Sequence, residues 1–217
     1  MLTPNSHMNP VYELEERNSV KEYIDSGGLM MEHTKTRELE QMICDYTGAE
    51  YAHMVPSATM GLLLCSMLSN IKPGEVFDCP SYTQAATANG SILMGATPNF
   101  IDVDPNTYTL NFSKVQNRVV YVASINGRTP ADYHHQIKKL QDRGHFVIED
   151  AAQALGSWHR DCHVGTMGHV GVFSFGAPKI ITTGQGGCII TNDVGLSERV
   201  HAIKNFGRTV GVGEVYN

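Results

Sequence analysis

The sequence is poor in several features that mark special classes of protein. Charged residues make up only 18% of its 217 residues, and the 16 Lys and Arg residues form no basic block. Neither nucleic acid nor an anionic membrane is therefore expected as a partner. No stretch approaches the roughly 18 consecutive apolar residues of a membrane helix. The first residues also lack the basic segment and apolar run of a secretory signal, so we expect a cytoplasmic protein.

Cysteine is scarce as well, and its spacing suggests no special use. The five cysteines are scattered, odd in number and contain no CxxC pair, as is typical of free thiols in a reducing compartment. His159, Cys162 and His163 lie close together in the sequence, but no second pair of ligands is evident. We therefore expect no metal site.

What the sequence does have is an alternation of helix-like and strand-like segments. Helical spacing of apolar residues covers 11–25, 34–48, 54–70, 83–95 and 130–144. Short β-branched runs cover 76–80, 99–104, 119–125, 146–150, 170–175 and 188–193. The alternation predicts an α/β fold in which helices cover both faces of a mostly parallel sheet. In such sheets ligands bind at the carboxyl ends of the strands.

One candidate site residue stands at such a strand end. Asp150 ends the run FVIED, and Gln153 follows three residues later. A carboxylate in this position can pair with a heterocyclic nitrogen and keep it protonated. It can equally cap a following helix, which is a common role of aspartate.

Two further segments carry candidate chemistry. Lys179 follows Ser174 by five residues in an apolar, glycine-punctuated segment, where a desolvated lysine can become a nucleophile that forms Schiff bases. A surface lysine in a loop is the alternative. Ala58 and Thr59 follow Ser57 at a predicted helix start, where backbone amides can bind phosphate or simply be capped.

These segments together resemble a known family. SATMG, PSYTQAATANG, SINGRTPAD, IEDAAQALGS and PKIITTGQGGCIITND follow, in order, blocks of the DegT/DnrJ/EryC1/StrS sugar aminotransferases. SINGR and KIITTGQGG look most like the perosamine-synthase-like members. The resemblance implies a fold-type-I large domain over residues 1–217, a three-layer sandwich that binds pyridoxal 5′-phosphate. It also implies that the small C-terminal domain of the family is absent from this chain.

The resemblance implies a role for each candidate residue. Lys179 matches the lysine that binds the cofactor covalently, where related sugar 3-dehydratases have histidine. Asp150 matches the aspartate on the pyridinium nitrogen, and Gln153 matches the glutamine near the ring hydroxyl. The phosphate-binding positions match Ser174, Ala58 and Thr59.

The implied reaction transfers an amino group from L-glutamate to a keto-deoxy sugar linked to a nucleotide, as in perosamine and O-antigen synthesis. A homodimer with shared active sites is the expected assembly. One alternative also stays open: a truncated, non-catalytic binding protein, or half of a split enzyme, because the family's next segment normally sends an asparagine to the neighbouring subunit's phosphate.

The match has departures within the chain. Gln84 stands where the family usually has an aromatic residue that stacks on the cofactor ring, and Ala58 replaces a frequent glycine. Gln185 and His169 stand where glutamate and aspartate are common.

Overall fold

A computed structural model describes residues 12–28 and 33–208 of the protein. The helices are α1 (Leu14–Asp25), α2 (Thr34–Thr47), α3 (Ala58–Leu68), α4 (Ala85–Leu93), α5 (Tyr133–Asp142) and α6 (Val194–Lys204). The strands are β1 (Tyr51–Val55), β2 (Val76–Pro80), β3 (Thr97–Ile101), β4 (Val119–Ala123), β5 (Phe146–Asp150), β6 (Trp158–His159), β7 (Cys162–His163), β8 (Val170–Ser174) and β9 (Gly187–Thr191).

Seven strands within this part of the chain form one sheet, in the order β1-β9-β8-β5-β4-β2-β3. Only β9 runs antiparallel to its neighbours among these strands, and the other pairings in the sheet are parallel. The carboxyl ends of β2, β4, β5 and β8 therefore lie at the same edge. β6 and β7 form a separate short hairpin.

Alternate residues of the central strands face two different cores, because successive side chains of a strand point to opposite faces. Val120 and Val122 of β4 pack in a core with α2 and α5. Val119 and Tyr121 pack in a second core with α3, α4 and α6. The sheet is thus covered on both faces, which confirms the predicted three-layer α/β architecture. No helix in 12–28 or 33–208 has the length and apolar character needed to cross a membrane.

Several element predictions were wrong at their boundaries. The helical segment predicted over 54–70 begins only at Ala58, and its predicted Ser/Thr N-cap is confirmed at Ser57, which accepts a hydrogen bond from Met60 N at 3.3 Å. The residues before it form β1, which the sequence pattern did not predict. The strand predicted to end at residue 193 stops at Thr191, since Asp193 instead caps α6 by accepting from Leu196 N at 2.9 Å. By contrast, the predicted C-cap at Gly48 is confirmed, at φ 77°.

A buried carboxylate fixes the entry to β8. Glu149 Oε1 accepts from the amides of Met167 and Gly168 at 2.7 and 2.5 Å. Its Oε2 accepts from Gly165 N at 3.1 Å and from the Tyr133 hydroxyl at 2.8 Å. Burial raises the pKa of Glu149, and these donors oppose the rise. The loop before β8 is therefore tied to β5 and α5.

Helices α3 and α4 approach each other closely at Gly90. A Cβ added there would lie 2.8 Å from Leu63 Cα and 2.6 Å from Ser66 Oγ. Tyr121 completes the contact, because its hydroxyl lies 2.7 Å from the hydroxyls of both Ser66 and Ser91. This packing sets the position of one helix start relative to the other at the carboxyl edge of the sheet.

We predict that Gly90→Ala destabilises the protein although alanine favours helix. The added methyl group must displace α3 backbone, and such overpacking costs about 1–3 kcal/mol. Urea unfolding measures the change in free energy. Asn89→Ala, at an exposed position of the same helix, is the matched control and should keep or slightly raise stability. A Gly90→Ala protein as stable as the wild type would contradict the tight contact.

Candidate active site

A pocket of about 200 Å³ opens at the carboxyl edge of the sheet. The ends of β5 and β8, the segment after β2 and the first turn of α3 all border it. The residues predicted from the sequence all line this pocket: Ala58, Thr59, Gln84, Asp150, Gln153, Ser174 and Lys179. The fold thus brings together residues that are spread over more than half of the chain.

Asp150 supplies a buried carboxylate to this pocket and is only 8% exposed. Its Oδ2 accepts from the Thr87 hydroxyl at 2.6 Å, and its Oδ1 accepts from Ala152 N at 3.1 Å. Burial raises the pKa of Asp150, whereas these hydrogen bonds and the charge of Lys179 oppose the rise. No helix follows β5, since residues 151–157 form turns, so the helix-capping interpretation of Asp150 is wrong.

Lys179 lies in the turn after β8, where its backbone N–H donates to Gly176 O at 3.0 Å. The residue is half-buried and lines the same pocket as Asp150. Burial lowers the pKa of its amine, and the nearby Asp150 carboxylate opposes this change. The side chain therefore belongs to the pocket wall and is not a freely solvated surface lysine.

The start of α3 offers backbone donors to the pocket. The first amides of a helix have no intrahelical acceptor, and the helix dipole favours an anion there. Gly187 allows β9 to lie against this helix start, because a Cβ on Gly187 would come within 2.5 Å of Ala58 N. Ser174, at the end of β8, adds a hydroxyl to the same pocket. Together these groups can hold a phosphate.

The structure also places in the site residues that sequence reasoning missed. Thr83 and Ser124 line the pocket, and Thr87 lies directly behind Asp150. Asn126, at φ 53°, donates its backbone N–H to Gln153 Oε1 at 3.0 Å and so orients that side chain. Thr83, just before α4, and Thr87, in its first turn, are four residues apart, and their hydroxyls meet at 2.7 Å. That spacing alone gave no signal that Thr87 meets residue 150.

A second, larger cavity of about 440 Å³ adjoins the first. Gln84, Gln153, Ser174 and Lys179 line both cavities, and Ile180 lines only the outer one. The arrangement leaves room for a second molecule beside one bound in the inner pocket.

The histidine and cysteine group of the β6–β7 hairpin lies apart from this pocket. His163 donates from Nδ1 to Val164 O at 2.7 Å, and its Nε2 accepts from Gly156 N at 2.9 Å. Its ring packs against Trp158 and Tyr46. Both ring nitrogens therefore serve the fold, and the described ranges contain no group of three His, Cys, Asp or Glu side chains placed to hold a metal.

The sequence and the fold were compared with those of known proteins. Residues 10–216 match the sequence profile of the DegT/DnrJ/EryC1/StrS aminotransferase family. The chain belongs to this family. Its fold is accordingly that of the pyridoxal-phosphate-dependent aminotransferases.

Individual relatives agree with the family assignment. The chain is 31% identical over 211 residues to GDP-perosamine synthase of Escherichia coli O157:H7, covering 93% of this chain and 58% of that protein. An aminotransferase from Psychrobacter cryohalolentis superimposes with a TM-score of 0.87 at 27% identity, covering 95% of this chain and 54% of the other. DesI, solved with its TDP-sugar product, gives 0.83 at 30% identity, with coverage of 95% and 54%. The chain thus spans about half the length of the relatives that it matches.

The pocket of this aminotransferase-family chain fits pyridoxal phosphate in its donor set. The Lys179 amine can react with an aldehyde, and the Asp150 carboxylate can pair with a ring nitrogen. The start of α3 and Ser174 can donate to a phosphate. These groups line one pocket, so a single small molecule can reach all of them.

We predict that Asp150→Asn lowers the pKa of the Lys179 amine further. The Asp150 carboxylate raises that pKa against burial, so its neutralisation leaves the burial effect unopposed. The reaction of Lys179 with trinitrobenzenesulfonate, followed by peptide mass spectrometry, should then extend to lower pH. Exposed Lys139 is the internal reference, and Asp142→Asn, at a surface carboxylate, is the control. An unchanged pH profile for Lys179 would show that the two groups do not interact.

Proposed function

We propose that this protein binds pyridoxal 5′-phosphate and transfers an amino group from L-glutamate to a keto-deoxy sugar linked to a nucleotide. The observation that carries the proposal is one pocket that collects an amine, a buried carboxylate and a helix start. Relatives point to the same substrate class: GDP-perosamine synthase is a sequence relative, and DesI was solved with a TDP-sugar product. Perosamine-type amino sugar synthesis is the most specific form of the proposal.

Each pocket residue has a stated task in this proposal. Lys179 Nζ holds the cofactor covalently, and Asp150 keeps the ring nitrogen protonated. The amides of Ala58 and Thr59, with the Ser174 hydroxyl, hold the phosphate. Gln153, fixed by Asn126 N, lies beside the ring hydroxyl, and Gln84 borders the pocket at the start of α4.

The bound cofactor supplies an electron sink for negative charge that develops at the reacting carbon. A Lys179 amine that is not bonded to the cofactor would be a base, and burial lowers its pKa. Its Nζ would take the proton from Cα of L-glutamate and hold it within the pocket. The same residue moves the proton in the opposite direction when the keto sugar accepts the amine.

We predict that Lys179→Ala abolishes covalent cofactor binding and lowers amino transfer at least about 100-fold. The wild-type chain with pyridoxal phosphate should show a visible absorption band that glutamate bleaches, and borohydride should fix the cofactor to the peptide containing residue 179. A panel of keto-sugar nucleotides then identifies the acceptor. Lys139→Ala, on the exposed face of α5, is the control and should keep the band. A band that persists in Lys179→Ala would show that another lysine binds the cofactor.

We further propose a homodimer in which a second copy covers the outer cavity. Ile180 and Ile181 are the two residues after Lys179, and they are 78% and 47% exposed. Apolar side chains at the mouth of a polar pocket favour coverage by another chain. Family members that share this fold are expected to build each site from two subunits.

We predict that Ile180→Glu weakens this dimer by about tenfold or more in its dissociation constant, because a charge would be buried at the interface. Analytical ultracentrifugation of the chain measures the constant. Val194→Glu, on the exposed first turn of α6, is the matched control and should leave it unchanged. A wild-type chain that sediments as a monomer with full activity would contradict the shared site.

A further inference from the structure

Two threonines connect the pocket wall to the buried carboxylate. The Thr83 and Thr87 hydroxyl oxygens lie 2.7 Å apart, and Thr87 Oγ1 lies 2.6 Å from Asp150 Oδ2. Thr87 is fully buried, whereas Thr83 is partly exposed and lines the pocket. The three side chains form a continuous hydrogen-bonded row, which we call the threonine relay.

The charge of Asp150 determines the direction of this relay. An ionised carboxylate only accepts hydrogen bonds, and a hydroxyl has one hydrogen to donate. With Asp150 ionised, Thr87 donates to Oδ2 and must therefore accept from Thr83. A proton on Oδ2 would instead make Asp150 the donor to Thr87 Oγ1, and the Thr87 hydrogen would have to turn away from Oδ2. The arrangement in which Thr87 donates to Oδ2 thus favours the negative charge.

Helix packing holds Thr87 in this position. The residue lies in the first turn of α4, where its backbone N–H donates to Gln84 O at 3.0 Å. The close approach of α3 to Gly90 fixes the helix one turn further on. Threonine is also restricted at χ1, so its hydroxyl has few alternative directions. The positive end of the α4 dipole lies on the same side as the carboxylate and adds to its stabilisation.

Few other groups stabilise a charge on this carboxylate. Among the described residues, the Asp150 carboxylate accepts hydrogen bonds only from the Thr87 hydroxyl and from Ala152 N, and Lys179 is the cation that acts on it. Burial raises the pKa of Asp150, and the Thr87 hydrogen bond is the largest effect that lowers it. A hydrogen bond to a buried charged group contributes more than one between neutral groups. The loss of the Thr87 hydroxyl would leave Asp150 with one donor.

We propose that Thr87 is a positioning residue that keeps Asp150 ionised and oriented for a ring nitrogen, and that Thr83 supports it by donating to its hydroxyl. The proposal rests on the proposed cofactor-binding function. Neither threonine needs to contact the reacting atoms. Their effect on the cofactor passes through the carboxylate, which then has one oxygen held by Thr87 and the other by Ala152 N.

The test compares Thr87→Val, which removes the hydroxyl but keeps the shape, with Thr87→Ser, which keeps the hydroxyl. Equilibrium dialysis with pyridoxal phosphate between pH 5 and 9 gives the dissociation constant at each pH. Protonation of Asp150 removes the negative charge that pairs with the ring nitrogen, so cofactor binding weakens as the pH falls. In Thr87→Val the pKa of Asp150 is higher, and the weakening should begin at a pH about one unit higher than in the wild type.

Two further variants are expected to show smaller effects on cofactor binding than Thr87→Val. Thr87→Ser should bind within about twofold of wild type at every pH, and Thr83→Val should shift the acid limb by less than Thr87→Val does. A purely structural role would weaken binding equally at all pH values. Such a uniform loss, or a wild-type profile in Thr87→Val, would overturn the proposal.

A cofactor-free measurement separates this proposal from the proposed function. Urea unfolding of the chain at pH 5 and pH 8 compares wild type with Thr87→Val. The variant raises the folded-state pKa of Asp150, so its stability relative to wild type should fall as pH rises through that pKa, by up to about tenfold in the unfolding constant. A wild-type chain that binds no pyridoxal phosphate would sink the proposed function. Equal destabilisation at both pH values would sink the threonine relay.

Discussion

The Asp150 carboxylate lies in a position that is 8% exposed, and a negative charge held there needs donors and cations from elsewhere in the fold. α4 supplies Thr87, the turn after β5 supplies Ala152 N, and the turn after β8 supplies Lys179. These segments meet only because parallel strands end at one edge of the sheet. The same charge raises the pKa of Lys179 against burial. Carboxylate and amine therefore each shift the pKa of the other toward its charged form.

Packing away from the pocket keeps these groups in place. The contact at Gly90 fixes α4 against α3, and the absence of a side chain on Gly187 lets β9 approach the start of α3. On the opposite face, four donors around Glu149 tie the loop before β8 to β5 and α5. Gly90, Gly187 and Glu149 do not line the pocket. Substitutions there are expected to affect the site by shifting the helices and strands that carry its residues.

Much of the fold could be predicted because its strands and helices have clear local patterns. β2 and β5 were predicted with the bounds that the structure shows, since each is a short apolar run between polar residues. β1 could not be separated from the helix that follows, because both are apolar and only the Ser57 cap divides them. α6 was missed because its buried face is narrow, with Ser197 and Val200 as its buried residues.

The sequence by itself determined the alternation of strands and helices, the strand-end position of Asp150, and the family resemblance that marked Lys179, Gln153 and Ser174. These features depend on residues close together in the sequence, or on the order of motifs along it, so no knowledge of tertiary contacts is needed to recognise them. Only the tertiary structure decided that Thr87 lies behind Asp150, because a hydroxyl contact across 63 residues depends on helix packing and strand order. It also decided that Asp150 faces a pocket and caps no helix, since turns follow β5.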